Sequence, residues 1–343
     1  MKTVKLHGIK QLQLHDDPIP VMGQGQALIS LKAVGICGSD VHYFNKGRIG
    51  SDTCVYPQSL GHEPAGTVAR SFAGGKFKEG DRVAIEPAKP CGSCEHCVTG
   101  HSNRCPRVRF LGSPGMPGAF SEFLVLDESQ LAAIPDSMTF EEAAALEPLG
   151  VAYHALCLAG LKPGESVAIF GAGPIGLLTL AMARACGAGE TFIFDKLAYR
   201  LEFAKNVYRA SHTVNVDQTD PIEYIRQQTA NRGVDICFEA AGQQQTFNWT
   251  FEATRIGGRA LIIGIPEEDT FSINPHIWRR REMEIRNVRR SNRALETCID
   301  LVNRKVISID KIITHRFPIT AIADAFEMVG NYRDGVLRAM VVM

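Results

Sequence analysis

Residues 166–195 read SVAIFGAGPIGLLTLAMARACGAGETFIFD, and three glycines in this stretch set the fold expected around it. Gly171, Gly173 and Gly176 stand in the G-x-G-x-x-G spacing, directly after the apolar strand pattern SVAIF and directly before the helical pattern LLTLAMARA. Glycine permits a tight turn and lets the backbone approach a pyrophosphate, whose charge is met by N–H groups at the helix start. Pro174 and Ile175, between the last two glycines, belong to the same candidate cofactor-binding turn. The second strand pattern, TFIF, ends in Asp195, nineteen residues after Gly176, where a carboxylate can accept hydrogen bonds from an adenosine ribose. That charge repels a 2′-phosphate and favours NAD over NADP, while Lys196 and Arg200 nearby leave NADP open. The competing reading is that Asp195 only caps a turn.

Outward from this βαβ unit, further strand patterns follow with helical or polar connections: HTVNV, VDICFEAAG, RALIIGIP and EMEIRNV. Alternation of this kind predicts an open, doubly wound, mostly parallel sheet. The first 135 or so residues differ, with short β-rich segments broken by Gly and Pro and no sustained helical period. After residue 290 come a helix (ALETCIDLVNRKV), a short strand (ITHRFPI), a helix (AIADAFEMVGN) and a last strand (LRAMVVM). This tail is expected to return and complete the first domain. The expected organisation is therefore α/β: residues 1–148 with 290–343 as a mostly β domain, and 149–289 as the nucleotide-binding domain.

Lys plus Arg and Asp plus Glu both total 37, so no general field draws the chain to nucleic acid or to an anionic membrane. The N-terminal segment lacks the apolar core of a signal peptide, and no apolar run approaches the roughly 18 residues needed to span a bilayer. A cytoplasmic location is expected. There, clustered thiols more often bind metal than form disulfides.

One such cluster is PCGSCEHCVTGHSNRCP, residues 90–106. Cys91, Cys94, Cys97 and Cys105 supply four soft donors on one loop, which suits a closed tetrahedral zinc site with no place for water. A closed shell cannot act on a substrate, so the lobe is read as structural. An iron–sulfur cluster is the other use of four cysteines, with no second cluster motif to support it. His96 and His101, inside the loop, are read as solvent-facing. A second set is dispersed: Cys37 in VGICGSDVHYF, His62 and Glu63 in SLGHEPAG, and Glu147 in LEPLG. Singly each is unremarkable; together, thiolate, imidazole and carboxylate suit a zinc ion with an open position for an alcohol oxygen.

GICGSDVHYF, GHEPAG, the four-cysteine lobe, EPLGVAYHA and GAGPIG occur in the order found in the zinc-dependent medium-chain alcohol dehydrogenases, and the chain resembles that family over essentially its whole length. Within it the resemblance is to the polyol branch of sorbitol, iditol, xylitol and idonate dehydrogenases. It implies a GroES-like catalytic domain, a Rossmann domain, two zinc ions per chain and NAD. It places Cys37, His62 and Glu147 around a catalytic zinc, with Glu63 of the same histidine motif able to ligate directly while Glu147 acts through water or in exchange. Ser39 stands where the family has its proton-relay hydroxyl, with His42 next toward solvent, against the bland reading that Ser39 satisfies a turn. Tyr43 and Phe110 match pocket-lining aromatics, and Arg289 and Arg290 match an Arg-Tyr pair, so Arg290 is a departure.

Residues 279–293 contain seven Arg and two Glu. Most of that excess reads as a solvated face or a subunit contact, but two adjacent guanidinium groups could also bind a carboxylate or phosphate bidentately. The expected reaction is hydride transfer from a secondary hydroxyl of a polyol or sugar derivative to NAD. The alternatives are L-threonine dehydrogenase, dehydrogenase of a sugar acid or polyol phosphate, and a non-catalytic nucleotide-binding protein. A homodimer or homotetramer is implied by the resemblance. Two further departures stand out. Phe72 replaces a small residue, which suggests a one-residue deletion in a surface turn, and the animal sorbitol dehydrogenases lack the four-cysteine lobe.

Overall fold

A computed structural model describes residues 1–343, which divide into two compact units: Met1–Glu147 with Asn292–Met343, and Pro148–Ser291.

In the second unit a six-stranded sheet runs in the order His212–Asn215, Thr191–Asp195, Val167–Phe170, Val234–Glu239, Thr254–Ile262, Glu284–Asn287. Every pairing is parallel. The inner strands are buried and mostly apolar, as expected of a parallel sheet, with Phe170, Phe192, Phe194 and Phe238 fully buried, though Val234–Glu239 also buries two acids, Asp235 and Glu239. Val167 pairs with Thr191 on one side and Ile236 on the other, so the strand order reverses there. Loops leaving the two neighbouring strands then diverge, and the crevice beyond the strand ends is the place where such sheets bind ligands.

At the opposite end of the sheet the buried Asp235 accepts hydrogen bonds from the Ser166 amide (2.9 Å) and hydroxyl (2.7 Å), Arg232 (2.6 Å) and Arg255 (2.7 Å). Burial alone would push its carboxyl up, but Arg232 and Arg255 outweigh that and hold it well below the usual range.

The first unit is built on a seven-stranded sheet whose central strand, Gln26–Gly35, pairs antiparallel with Glu63–Ser71, Phe123–Asp127 and the C-terminal strand Arg338–Val342. The tail thus completes the first unit, as its sequence pattern suggested. Gly35 lies opposite Glu63 on one side and Met340 on the other, which brings Cys37, Glu63 and Arg338 to one end of three adjacent strands. A Cβ on Gly35 would collide with the Glu63 and Arg338 side chains, so the approach of those two groups requires glycine here.

One expectation fails. The first 135 residues contain a nine-residue helix, Gly38–Lys46, where only short β segments were expected. Its nine residues, GSDVHYFNK, are too few and too polar to show a period; what starts the helix is its cap. Asp40 accepts from the Cys37 amide (3.0 Å) in a capping box, and Gly47 closes the other end in the left-handed conformation at φ 66°.

Candidate active site and metal centres

The dispersed set is assembled by the ends of the central strands. Cys37 caps the helix Gly38–Lys46, while Glu63 opens the strand Glu63–Ser71 and His62 immediately precedes it. The ligand atoms of Cys37, His62 and Glu63 lie within 4.8 Å of one another. His62 and Glu63 are buried. Burial pushes the Cys37 thiol up, but the neighbouring His62 outweighs it and leaves the thiol below its ordinary value. Burial likewise pushes His62 down, and the charges of Asp40 and Cys37 reverse this and raise it well above its usual range. A thiol shifted down beside an imidazole shifted up and a carboxylate is a donor set that fits a divalent cation.

Asp40 was not singled out from the sequence. It is 1% exposed, accepts from the amides of Cys37 (3.0 Å) and Gly61 (3.0 Å), and sits 3.5 Å from His62 Nδ1. It therefore fixes the ring orientation of His62 and the backbone on both sides of the site at once. The signal was present in C-G-S-D, a cap followed three residues later by an acid. Arg338 was also missed, although it is a lone charge in the otherwise apolar strand Arg338–Val342. It is buried, forms an ion pair with Glu63, and burial pulls its guanidinium down to about 10. Glu63 is thus neutralised by arginine, while its Oε1 is buried with no hydrogen-bond partner and remains available to a metal.

The carboxylate of Glu147 does not join this three-residue cluster, but its charge is felt at Cys37. Ser39 and His42 are half-buried and one turn apart on the helix Gly38–Lys46. Phe110 packs on the site, its ring centroid 5.2 Å from that of His62. Tyr43 lies in the hydrophobic core of the first unit, where burial pushes its hydroxyl up to about 12.

The thiol lobe forms a compact group of its own. Cys91, Cys94, Cys97 and Cys105 have their sulfurs within 4.8 Å of one another, with Cys94–Cys97 at 3.4 Å and Cys91–Cys97 at 3.9 Å. Four sulfurs at this spacing, with no disulfide among them, fit a tetrahedral zinc. Asn292 ties the lobe down by donating to the Gly100 carbonyl (3.0 Å) and accepting from Ser102 (3.2 Å). His101 is exposed, and His96 is only half so.

In the second unit, Gly171 adopts φ 103°, and a Cβ on Gly176 would run into the Gly171 carbonyl. Gly173 caps the helix Pro174–Ala185, with Pro174 in its first turn, followed by Ile175. Asp195 accepts from the amides of Ala172 (2.7 Å) and Leu197 (2.9 Å), and Arg200 approaches it at 3.6 Å. Asp195 therefore does cap the turn, as the competing reading expected. Arg289 is exposed, and Arg290 is half-buried in the left-handed region at φ 56°. Of the cysteines outside both clusters, Cys157 and Cys186, each near the C-terminal end of a helix, are exposed, whereas Cys54, Cys237 and Cys298 are buried.

A dinucleotide-type sheet and a buried Cys–His–carboxylate centre in one chain define a metal-dependent oxidoreductase. Residues 23–136 match the alcohol dehydrogenase GroES-like domain and residues 174–304 the zinc-binding dehydrogenase domain. Sorbitol dehydrogenase of Bacillus subtilis is 35% identical over 99% of this chain and 97% of its own length, and that of Gallus gallus is 38% identical over 95% and 92%. Identity thus gives the bacterial relative no advantage over the animal one. An Escherichia coli oxidoreductase of unknown specificity superposes with a TM-score of 0.94 at 34% identity, covering 99% of this chain and 98% of that one. The chain belongs to the zinc-binding medium-chain dehydrogenases, in their polyol-dehydrogenase branch, and uses zinc and NAD(H). No helix is long and apolar enough to cross a membrane.

Proposed function

We propose that the chain oxidises a secondary hydroxyl of a neutral polyol to a ketone, with Cys37, His62 and a carboxylate from Glu147 or Glu63 holding the catalytic zinc. The observation that carries this reading is the buried meeting of Cys37, His62 and Glu63 in a member of a zinc-dependent family. When bound, zinc supplies the Lewis acidity that makes an alcohol acidic, and NAD accepts the hydride. The chain's part is to place the hydroxyl, exclude water and carry its proton away. Ser39 accepts that proton and His42, one turn on, passes it toward solvent. Gly171, Gly173 and Gly176 give the pyrophosphate its close approach.

Asp195 favours NAD: its carboxylate already engages Arg200, which leaves that guanidinium less able to hold a 2′-phosphate. The exposed edge strand Glu284–Asn287, carrying Ile285, supports assembly into a homodimer or homotetramer, which light scattering after size exclusion would test.

The reading is tested by initial rates of NADH formation on neutral polyols, sugar acids, phosphorylated polyols and L-threonine, repeated with NADP. Activity on neutral polyols is expected. Activity confined to acidic substrates would assign Arg289 and Arg290 to specificity, and activity on threonine alone would overturn the polyol reading.

A further inference from the structure

We propose that Arg107 is a positioning residue that latches Cys91 into the four-thiol cluster and slows loss of metal from the lobe. The inference rests on the reading that these cysteines hold zinc. Arg107 follows Cys105 by two residues, and its Nη2 donates to Cys91 Sγ (3.2 Å) and to Ser93 Oγ (3.1 Å). One guanidinium therefore clasps both the first cysteine of the lobe and the turn that follows it. Cys97 and Cys105 are buried and unreachable, whereas Cys91 and Cys94 are half-exposed.

Four thiolates around Zn²⁺ carry a net charge of about −2. Such a site opens at the thiolate that water and a competing chelator can reach, because that ligand can leave the metal without the buried pair moving. Arg107 stands against one of the two accessible thiolates. Its guanidinium is permanently charged, so its N–H···S bond persists over the whole pH range in which the protein is folded. Both bonds leave one nitrogen of a rigid guanidinium plane, and the flexible, more strongly hydrated ammonium of lysine would supply the charge without holding that geometry. The Cys91 sulfur also meets the backbone N–H groups of Ser93 and Cys94 and the Ser93 hydroxyl (3.8 Å), so Arg107 adds the one charged donor to that shell, while the Cys91 amide donates to Cys105 Sγ (3.4 Å) and ties the two ends of the lobe.

The test uses the full-length, zinc-loaded protein and follows zinc release to the chelator 4-(2-pyridylazo)resorcinol. Release phases are assigned with Cys94→Ser, which removes the lobe phase, and Cys37→Ser, which removes the other. Arg107→Gln is expected to accelerate the lobe phase roughly tenfold, as loss of an outer partner does at other metal sites, with the second phase unchanged. Arg107→Lys is expected to fall between. An unchanged lobe phase in Arg107→Gln, or equal acceleration of both phases, overturns the latch. Release of a single zinc from the wild type, unaltered by Cys94→Ser, instead overturns the zinc reading of the lobe.

Discussion

The two metal centres of this chain use the same chemistry in opposite ways. The lobe takes all four donors from positions 91–105, one loop with a four-residue helix and a short turn, and so carries its geometry with it. The dispersed centre takes donors from the ends of two strands, orients them with Asp40, and balances them with Arg338 from the last strand of the chain. A local site can be built almost anywhere and stiffens whatever it is built into. The dispersed one exists only when the whole sheet has formed, and for that reason it can leave a coordination position open to substrate.

The sharpest way to break that contrast is Cys37→Ser. Loss of the dispersed ligand is expected to remove one zinc and lower kcat by at least about a thousandfold, since the metal's charge stabilisation is lost. The sheet beneath it does not depend on the thiol, so the thermal midpoint is expected to move by only a few degrees. Metal analysis and calorimetry check both. Two zinc ions retained with activity within tenfold of wild type would mean that Cys37 is not a ligand.

Cys94→Ser is expected to do the reverse. The lobe loses its metal and with it roughly 4 kcal/mol, seen as a fall of about 10 °C in the midpoint of the first unit. Activity per folded molecule at low temperature stays near wild type. A variant without lobe zinc that melts like the wild type would show that the lobe does not stabilise the fold.

Asp235 belongs to neither centre and serves as the reference for acid. Its folded pKa lies below its unfolded value near 3.9, so its stabilisation is complete above pH 4 or so and is lost as pH falls toward the folded value. Asp235→Asn is expected to cost about 2 kcal/mol at neutral pH, discounted for the half-exposed Arg232, and the gap to wild type should close on acidification below pH 4. Denaturant titrations across pH check the sign. Acid loss of zinc should come earlier, because thiolates and His62 must bind protons to release metal.

What the sequence made legible follows the same division. The lobe, the Gly-rich turn and the strand ending in Asp195 could each be read from one continuous stretch, because the spacing that defines them is a spacing along the chain. The tail elements were readable too, since Ile322–Gly330 and Arg338–Val342 keep a clean helical and strand pattern. Asp40 and Arg338 left only weak local marks, a capping acid and a lone charge in an apolar strand, because their roles at the site come from Gly61, His62 and Glu63, which become neighbours only in the fold. The helix Gly38–Lys46 was hidden because its stability comes from a cap and from Tyr43 and Phe44 packing into the core rather than from its composition.

The smallest expected effect probes how the dispersed centre sheds a proton. Ser39 lies in the first turn of the helix that Cys37 caps, and His42 follows three residues later on the same face. If the hydroxyl relays the substrate proton, Ser39→Ala should lower kcat about tenfold near neutrality, and the deficit should shrink at high pH where hydroxide replaces the relay. A merely structural serine would lower activity equally at every pH, or not at all. The shape of the pH profile, more than the size of the loss, therefore decides whether Ser39 moves a proton or only finishes a turn.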